Sequence, residues 1–176
     1  MREPFRGVRV SGVPSRKSAD PNTAARDRSS MRIRFGKAVL AGLVGTLVFD
    51  IAGLLMKREW WDTPAMLGTN LDLGLAGGVP AHYAIGIVLA IIYAGIAPSL
   101  WGPDWVRALM FMTVQTVLGV WLFLQPLLGM GIAGLEAGPL VPVISLAGHW
   151  AFGLVLAVLY PVRRSASAEQ VATANR

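Results

Sequence analysis

Five side chains stand out because they are polar and lie in stretches that are otherwise apolar: Asp50, His82, Gln115, Gln125 and His149. Asp50 is the only acid inside such a stretch. An ionised carboxylate at the centre of a membrane helix costs at least ~2.5–3.5 kcal/mol on insertion scales, so Asp50 has to face protein and find a partner. Two roles fit it: a neutral hydrogen-bonding group that glues helices, or a group that handles a proton or a ligand. His82 and His149 are the only histidines. They are open to structural hydrogen bonding through both ring nitrogens, to a two-histidine, one-carboxylate metal set with Asp50, to axial ligation of a haem between facing helices, and to proton relay with Asp50. A metal set needs three converging ligands, and a two-fold arrangement supplies only two equal ones. No metal and no cofactor is therefore assigned, with haem held by His82 and His149 as the alternative. Gln115 falls near the middle of its stretch and needs an interhelical hydrogen bond. Gln125 precedes Pro126 and marks the end of the same stretch.

Other chemistry lacks residues to carry it. Cysteine is absent, which removes thiol nucleophiles and thiolate metal sites. There is no glycine-rich phosphate loop, no nucleophile elbow and no HExxH, so acyl, phosphoryl and hydride transfer have no motif. No residue is assigned a catalytic role, and an enzyme is not expected. Met110, Met112 and Met130 read as packing residues rather than a copper track.

The elements that must position the five side chains are membrane helices. The chain has 176 residues, 54% hydrophobic and 15% charged, with a mean hydropathy of +0.54. A soluble domain carries about 25% charged residues. Four apolar spans, near 37–56, 80–100, 105–125 and 141–162, each have the ~20 residues a helix needs to cross a ~30 Å hydrocarbon core. No ten-residue polar–apolar alternation suggests barrel strands. The expected fold is all-α and integral to the membrane: four transmembrane helices over 35–163, a disordered basic tail over 1–34 and a disordered tail over 164–176. Met31 followed by basic residues resembles a start, and residues 1–30 are expected to be dispensable.

Ten of the sixteen Lys and Arg fall in the first 37 residues. That charge reads as a topology signal and a contact for anionic lipids, not for nucleic acid. With Arg107, Arg163 and Arg164 it places both termini of the multi-pass chain in the cytoplasm; the resemblance given below implies the inner membrane of a bacterial cell. Trp60, Trp61, Trp101 and Trp105 sit at span ends, where amphipathic rings belong. The connection 57–79 has room for a short interfacial helix. The connection 126–140 is apolar and rich in glycine; it can dip into the membrane edge or lie on it, either as the cover of a polar pocket or as an interfacial loop with no further duty.

Residues 81–93 (AHYAIGIVLAIIY) and 148–160 (GHWAFGLVLAVLY) share seven of thirteen positions, among them His82/His149, Gly86/Gly153 and Tyr93/Tyr160. Aligning Lys37 with Arg107 pairs Thr46 with Thr116 and little else. The pattern implies two helical hairpins as a parallel repeat, with the second and fourth spans on one diagonal. Gly42, Gly86 and Gly153 then serve close helix packing. Asp50 is expected within reach of at least one histidine. The reading that follows is a small structural or accessory membrane protein with a polar intramembrane cluster. A small proton-coupled permease is the alternative. Four helices are few for a pathway, so a homodimer is its expected form, and a haem- or metal-binding redox protein is the third reading.

The runs AGLVGTLVFDIAGLL, HYAIGI, QPLLGMGIAG and GHWAFGLVLAVLY together resemble a family of small bacterial inner-membrane proteins, the domain of unknown function 2938, or a sibling family of the same plan. The resemblance spans roughly residues 38–161. Asp50, His82, Gln125, Pro126, Gly129, Gly131, His149 and Gly153 match its pattern. Leu67-Gly68-Thr69-Asn70 departs from it, where a Gly-Arg pair is expected. The family carries no established activity, so the resemblance implies a four-helix architecture and no reaction.

Overall fold

The computed structural model describes residues 33–58, 60 and 62–162. The expected tails lie outside these residues apart from Ile33 and Arg34, as do Trp61, Arg163 and Arg164. Among the described residues every regular element is helical. The first span is α1 (Phe35–Lys57). A short α2 (Asp62–Asn70) leads into α3 (Gly74–Ile96), which a 3₁₀ turn over Ala97–Ser99 extends. The third span runs through α4 (Asp104–Gln115), a π-helical segment (Thr116–Leu124) and α5 (Gln125–Leu127). The fourth is α6 (Val141–Leu159).

The four spans are 23, 26, 24 and 19 residues long and predominantly apolar. At 1.5 Å per residue, even the shortest reaches about 28 Å, enough for a hydrocarbon core. Leu40, Leu47, Leu55, Val88, Leu122 and Val158 point outward and are exposed. In water such faces would be a liability; in a bilayer they are the lipid contact. The chain is a multi-pass membrane protein.

Small residues set how the helices meet. The buried stripe of α1 is Ala38, Ala41, Gly42, Gly45, Thr46 and Asp50. A Cβ added to Gly42 would lie 2.6 Å from Ile87 Cα, and one added to Gly86 would lie 1.8 Å from Thr46 Oγ1. The backbones of α1 and α3 therefore touch where only glycine fits. On the other side of α1, Gly45 lies under the Phe152 ring and Gly148 under the Phe49 ring. Gly153 of α6 faces α4, where an added Cβ would come within 3.0 Å of Met112 Cγ.

The main packing seams join α1 to α6, α1 to α3, α2 to α3 and α4 to α6. The helices are thus strung in the order α3, α1, α6, third span. No comparable seam joins α3 to the third span. These two meet at one end, where the Tyr93 ring lies 5.5 Å from Phe111 and 6.4 Å from Tyr160. This end also holds residues 33–35, 97–104 and 160–162 and is called the terminal end below. Arg34 clamps it: its guanidinium lies over the Tyr160 ring at 4.8 Å and donates to the Pro161 carbonyl at 2.7 Å. Arg34, the last residue of the expected tail, thus contacts the end of α6. The opposite end, holding 58–73 and 128–140, is the loop end.

Two boundaries differ from the sequence expectation. Helix α3 begins at Gly74, not near residue 80. LGLAGGV resembles a loop, but Gly68 and Gly78 are packing glycines: a Cβ on Gly78 would lie 2.0 Å from Pro64 O, and one on Gly68 2.1 Å from Gly74 O. They let α2 lie against the first turns of α3. Pro80 sits inside the helix, where it withholds a donor from the Ala76 carbonyl. The second difference is the π segment, which period 3.6 does not anticipate.

Candidate functional site

The five polar side chains come from all four spans, and the structure brings all five to the wall of one cavity of about 660 Å³. It occupies the gap between α3 and the third span. Met112, Phe152 and Leu89 form its floor near mid-span, and it extends to Met66 of α2 and Met130 of the glycine-rich connection at the loop end. The wall is mostly apolar, with phenylalanine and methionine prominent.

Asp50 enters from α1. It lies seven residues before the end of that helix, about 10 Å along the axis from the loop end. Its side chain is buried. His82 Nε2–H donates to Asp50 Oδ1 at 3.0 Å, a bond between α3 and α1 that is itself buried. This bond orients the imidazole and leaves its Nδ1 as the free ring nitrogen. Asp50 Oδ2 is buried with no partner at full hydrogen-bond geometry, although the Tyr83 hydroxyl lies near enough to the same carboxylate to interact with it.

His149 is held differently. Its Nδ1–H donates to the Ser145 carbonyl one turn earlier in α6, at 2.7 Å. In the neutral ring Nε2 then carries a lone pair and is an acceptor. His82 and His149 both contact Phe49, at ring-centroid distances of 5.5 and 5.0 Å. A haem ligated by both histidines would have to displace Phe49 and, for ligation through Nε2, break the bond to Asp50. Among the described residues no three His, Asp or Glu side chains are grouped to hold a metal.

Gln115 and Gln125 flank the π segment. Gln125 is buried, Gln115 partly so, and each amide oxygen is buried with no partner. Glycine explains the fit at both positions. Gly119 leaves room beside the Gln115 amide, and a Cβ on Gly134 would come within 3.0 Å of Gln125 Nε2. Gly134 has φ of 73°, which glycine adopts without strain. At the loop end Lys57 and Asp62, both lining the cavity, are joined in an ion pair.

No family model, no curated protein and no solved structure matches this chain. What the site can do follows from its own atoms. Its fully buried unpartnered atoms are the acceptors Asp50 Oδ2, Gln115 Oε1 and Gln125 Oε1, and His149 Nε2 carries a lone pair; the two glutamine amide nitrogens stand beside them as donors. Among the described residues its one lysine, Lys57, is paired at the rim.

Three contributors escape a reading of residue types. Phe49 is an ordinary apolar residue in an apolar helix, and only tertiary structure puts it against both histidines. Ser145 was findable, since it stands four residues before His149 on one helix face. The Lys57–Asp62 pair joins two residues that in sequence look like opposing charges of a loop.

Proposed function

We propose that this is a non-enzymatic membrane protein that binds a small molecule in the cavity between α3 and the third span, as a small permease does. The observation that carries the reading is the void itself. A polar cluster that served only to lock helices would be filled by its own side chains. Here Asp50, both histidines and both glutamines surround about 660 Å³ of space, within the range of small-molecule sites. The cost of keeping unpartnered acceptors in the membrane is offset when a ligand meets them.

The parallel-repeat reading belongs to the same proposal. Gly86 packs on α1 as Gly153 packs on α4. Thr46 and Thr116, paired by the repeat alignment, donate to the carbonyls of Gly42 and Met112 at 2.8 and 2.7 Å. Tyr93 and Tyr160 meet at the terminal end. A two-fold would make the α1–α6 seam equivalent to a seam between α3 and the third span. The cavity stands where that second seam is missing, so the departure from symmetry is the functional feature. Termini in the cytoplasm of a bacterial inner membrane, anionic lipid at the basic tail, a homodimer as the transport unit and kinship with the family resembled above complete the proposal.

A second reading, an accessory protein whose polar cluster fixes helix register, is favoured by the buried Asp50–His82 bond. The test separates them. Gly53 lines the cavity, and a Cβ there meets nothing within 4 Å, so Gly53→Phe fills the void without a clash at the helix. A panel of neutral, cationic and anionic amphiphiles is added to the purified protein in a non-ionic detergent. At ligand near 100 times Kd, about 2.7 kcal/mol of linkage stabilisation is expected, a rise in Tm of roughly 5 °C or more. A rise in the parent that is lost in Gly53→Phe supports binding; a panel without effect on either leaves the register role.

A further inference from the structure

The geometry points to a primary ammonium with an apolar body as the occupant of the cavity, held by Asp50 Oδ2. This rests on the binding role proposed above and names its ligand class. Among the described residues, the fully buried cavity atoms left without a partner are all acceptors: Asp50 Oδ2, Gln115 Oε1 and Gln125 Oε1. His149 Nε2 adds a fourth acceptor, because Nδ1 is committed to the Ser145 carbonyl. A glutamine amide can be turned end for end, but a carboxylate oxygen cannot become a donor while ionised. Among the described residues Asp50 supplies the only carboxylate in the deep part of the site. Lys57, the one Lys or Arg among the described residues of the wall, is paired to Asp62 at the rim, so an anion would find no free counter-charge there. An ammonium brings three N–H donors and the missing positive charge in one group.

The rest of the wall fits the rest of such a molecule. Phe49 lies beside Asp50 and His82, and Phe123 and Phe152 also face the void. Aromatic faces attract cations, most strongly away from water. Met56, Met66, Met112 and Met130 line the same space and adapt to irregular apolar shapes. The chemistry has two sources: the amine headgroup of a membrane lipid entering between α3 and the third span, or a free lipophilic amine.

The test uses the full chain, purified in non-ionic detergent, and three probes of equal length. n-Octylammonium carries charge and N–H donors, 1-octanol carries neither the charge nor the ammonium, and octyltrimethylammonium carries charge without donors. Partition into micelles is common to all variants and cancels between them. Octylammonium is expected to bind the parent at least tenfold more tightly than octanol, and more tightly than the trimethyl cation. Asp50→Asn is expected to remove that advantage to within about threefold. Should Asp50→Asn fail to fold, Gln115→Leu replaces it and is expected to weaken octylammonium at least threefold with octanol unchanged. Discs of phosphatidylcholine, with or without phosphatidylethanolamine, separate the sources. Competition by the ethanolamine lipid in the parent assigns the site to a lipid headgroup, and its absence assigns it to a free amine. Equal binding of octanol and octylammonium, or an ammonium preference that survives Asp50→Asn, overturns the proposal. If octanol binds equally and is excluded by Gly53→Phe, the ligand class fails and the binding role stands. If no probe binds, both fail.

Discussion

One oxygen of Asp50 is bonded to His82 at 3.0 Å and the other has no bond of comparable geometry, only the nearby Tyr83 hydroxyl, and this asymmetry has a stability consequence. Removing the imidazole strands a second buried carboxylate oxygen. An unsatisfied buried acceptor costs about 1–3 kcal/mol, whereas removing both partners of a hydrogen bond is close to neutral. His82→Ala is therefore expected to destabilise the protein by roughly 1–3 kcal/mol, and the pair Asp50→Leu with His82→Ala by clearly less, read as Tm in detergent. Additive losses would show that the bond is not what stabilises either residue. The polar members of the site were legible because Asp, His and Gln are costly in hydrocarbon, and the sequence names them by that cost alone. Phe49 was not, since nothing separates a phenylalanine that contacts two imidazoles from one that faces lipid until α1, α3 and α6 are in place.

At the scale of elements, the crossing of α1 and α3 rests on two glycines and one threonine. A methyl at residue 86 would lie 1.8 Å from Thr46 Oγ1, so Gly86→Ala has to push the helices apart. The cost expected is about 1–3 kcal/mol, as for overpacking elsewhere. Added to Gly86→Ala, Thr46→Ala removes the offending atom and should restore most of the loss, while Thr46→Ser, which keeps the oxygen, should not; Tm values of the parent and these three variants decide it. Helix existence was legible from length and hydropathy, and α3 was misplaced at its start because its glycines serve packing and not a turn. The π segment was illegible for a different reason. An i→i+5 ladder is selected by how the third span fits its neighbours, and Thr116–Leu124 carries no residue that marks it. It separates the two glutamines on the cavity wall. Deleting Leu118, an exposed residue in the segment, is expected to let α-helix replace it and to rotate Gln125 away from the cavity. A single cysteine at 125 would then lose its protection by a cavity ligand, with membrane insertion unchanged.

On the scale of the whole molecule, the packed seams on one side and the void on the other imply an access direction. At the terminal end Tyr93, Met112 and Leu156 are fully buried, and they form a core that includes Phe111 and Tyr160. That core closes the cavity from below. At the loop end the wall passes to α2 and to the glycine-rich connection, where Gly129, Gly131, Gly134 and Gly138 all have positive φ. Glycine adopts such angles at little cost, so this cover is built from residues that move easily between backbone states. The absence of cysteine makes accessibility directly measurable, one introduced thiol at a time. Ala137→Cys, in the loop-end cover and exposed, reports the side of the membrane on which that end lies. Ser145→Cys and Gly53→Cys report the cavity; Ser145 holds His149 through its backbone carbonyl, which the substitution keeps. Ala90→Cys, in the buried core, is the control. The expected outcome is that 145 and 53 react with a membrane-impermeant thiol reagent from the same side as 137, which the proposed topology makes the outside of the cell. They should be silent from the opposite side, and residue 90 silent from both. Labelling of 53 and 145 from the terminal side alone would invert the access direction. Labelling from neither side would leave lateral entry from the bilayer, between α3 and the third span, as the only route in.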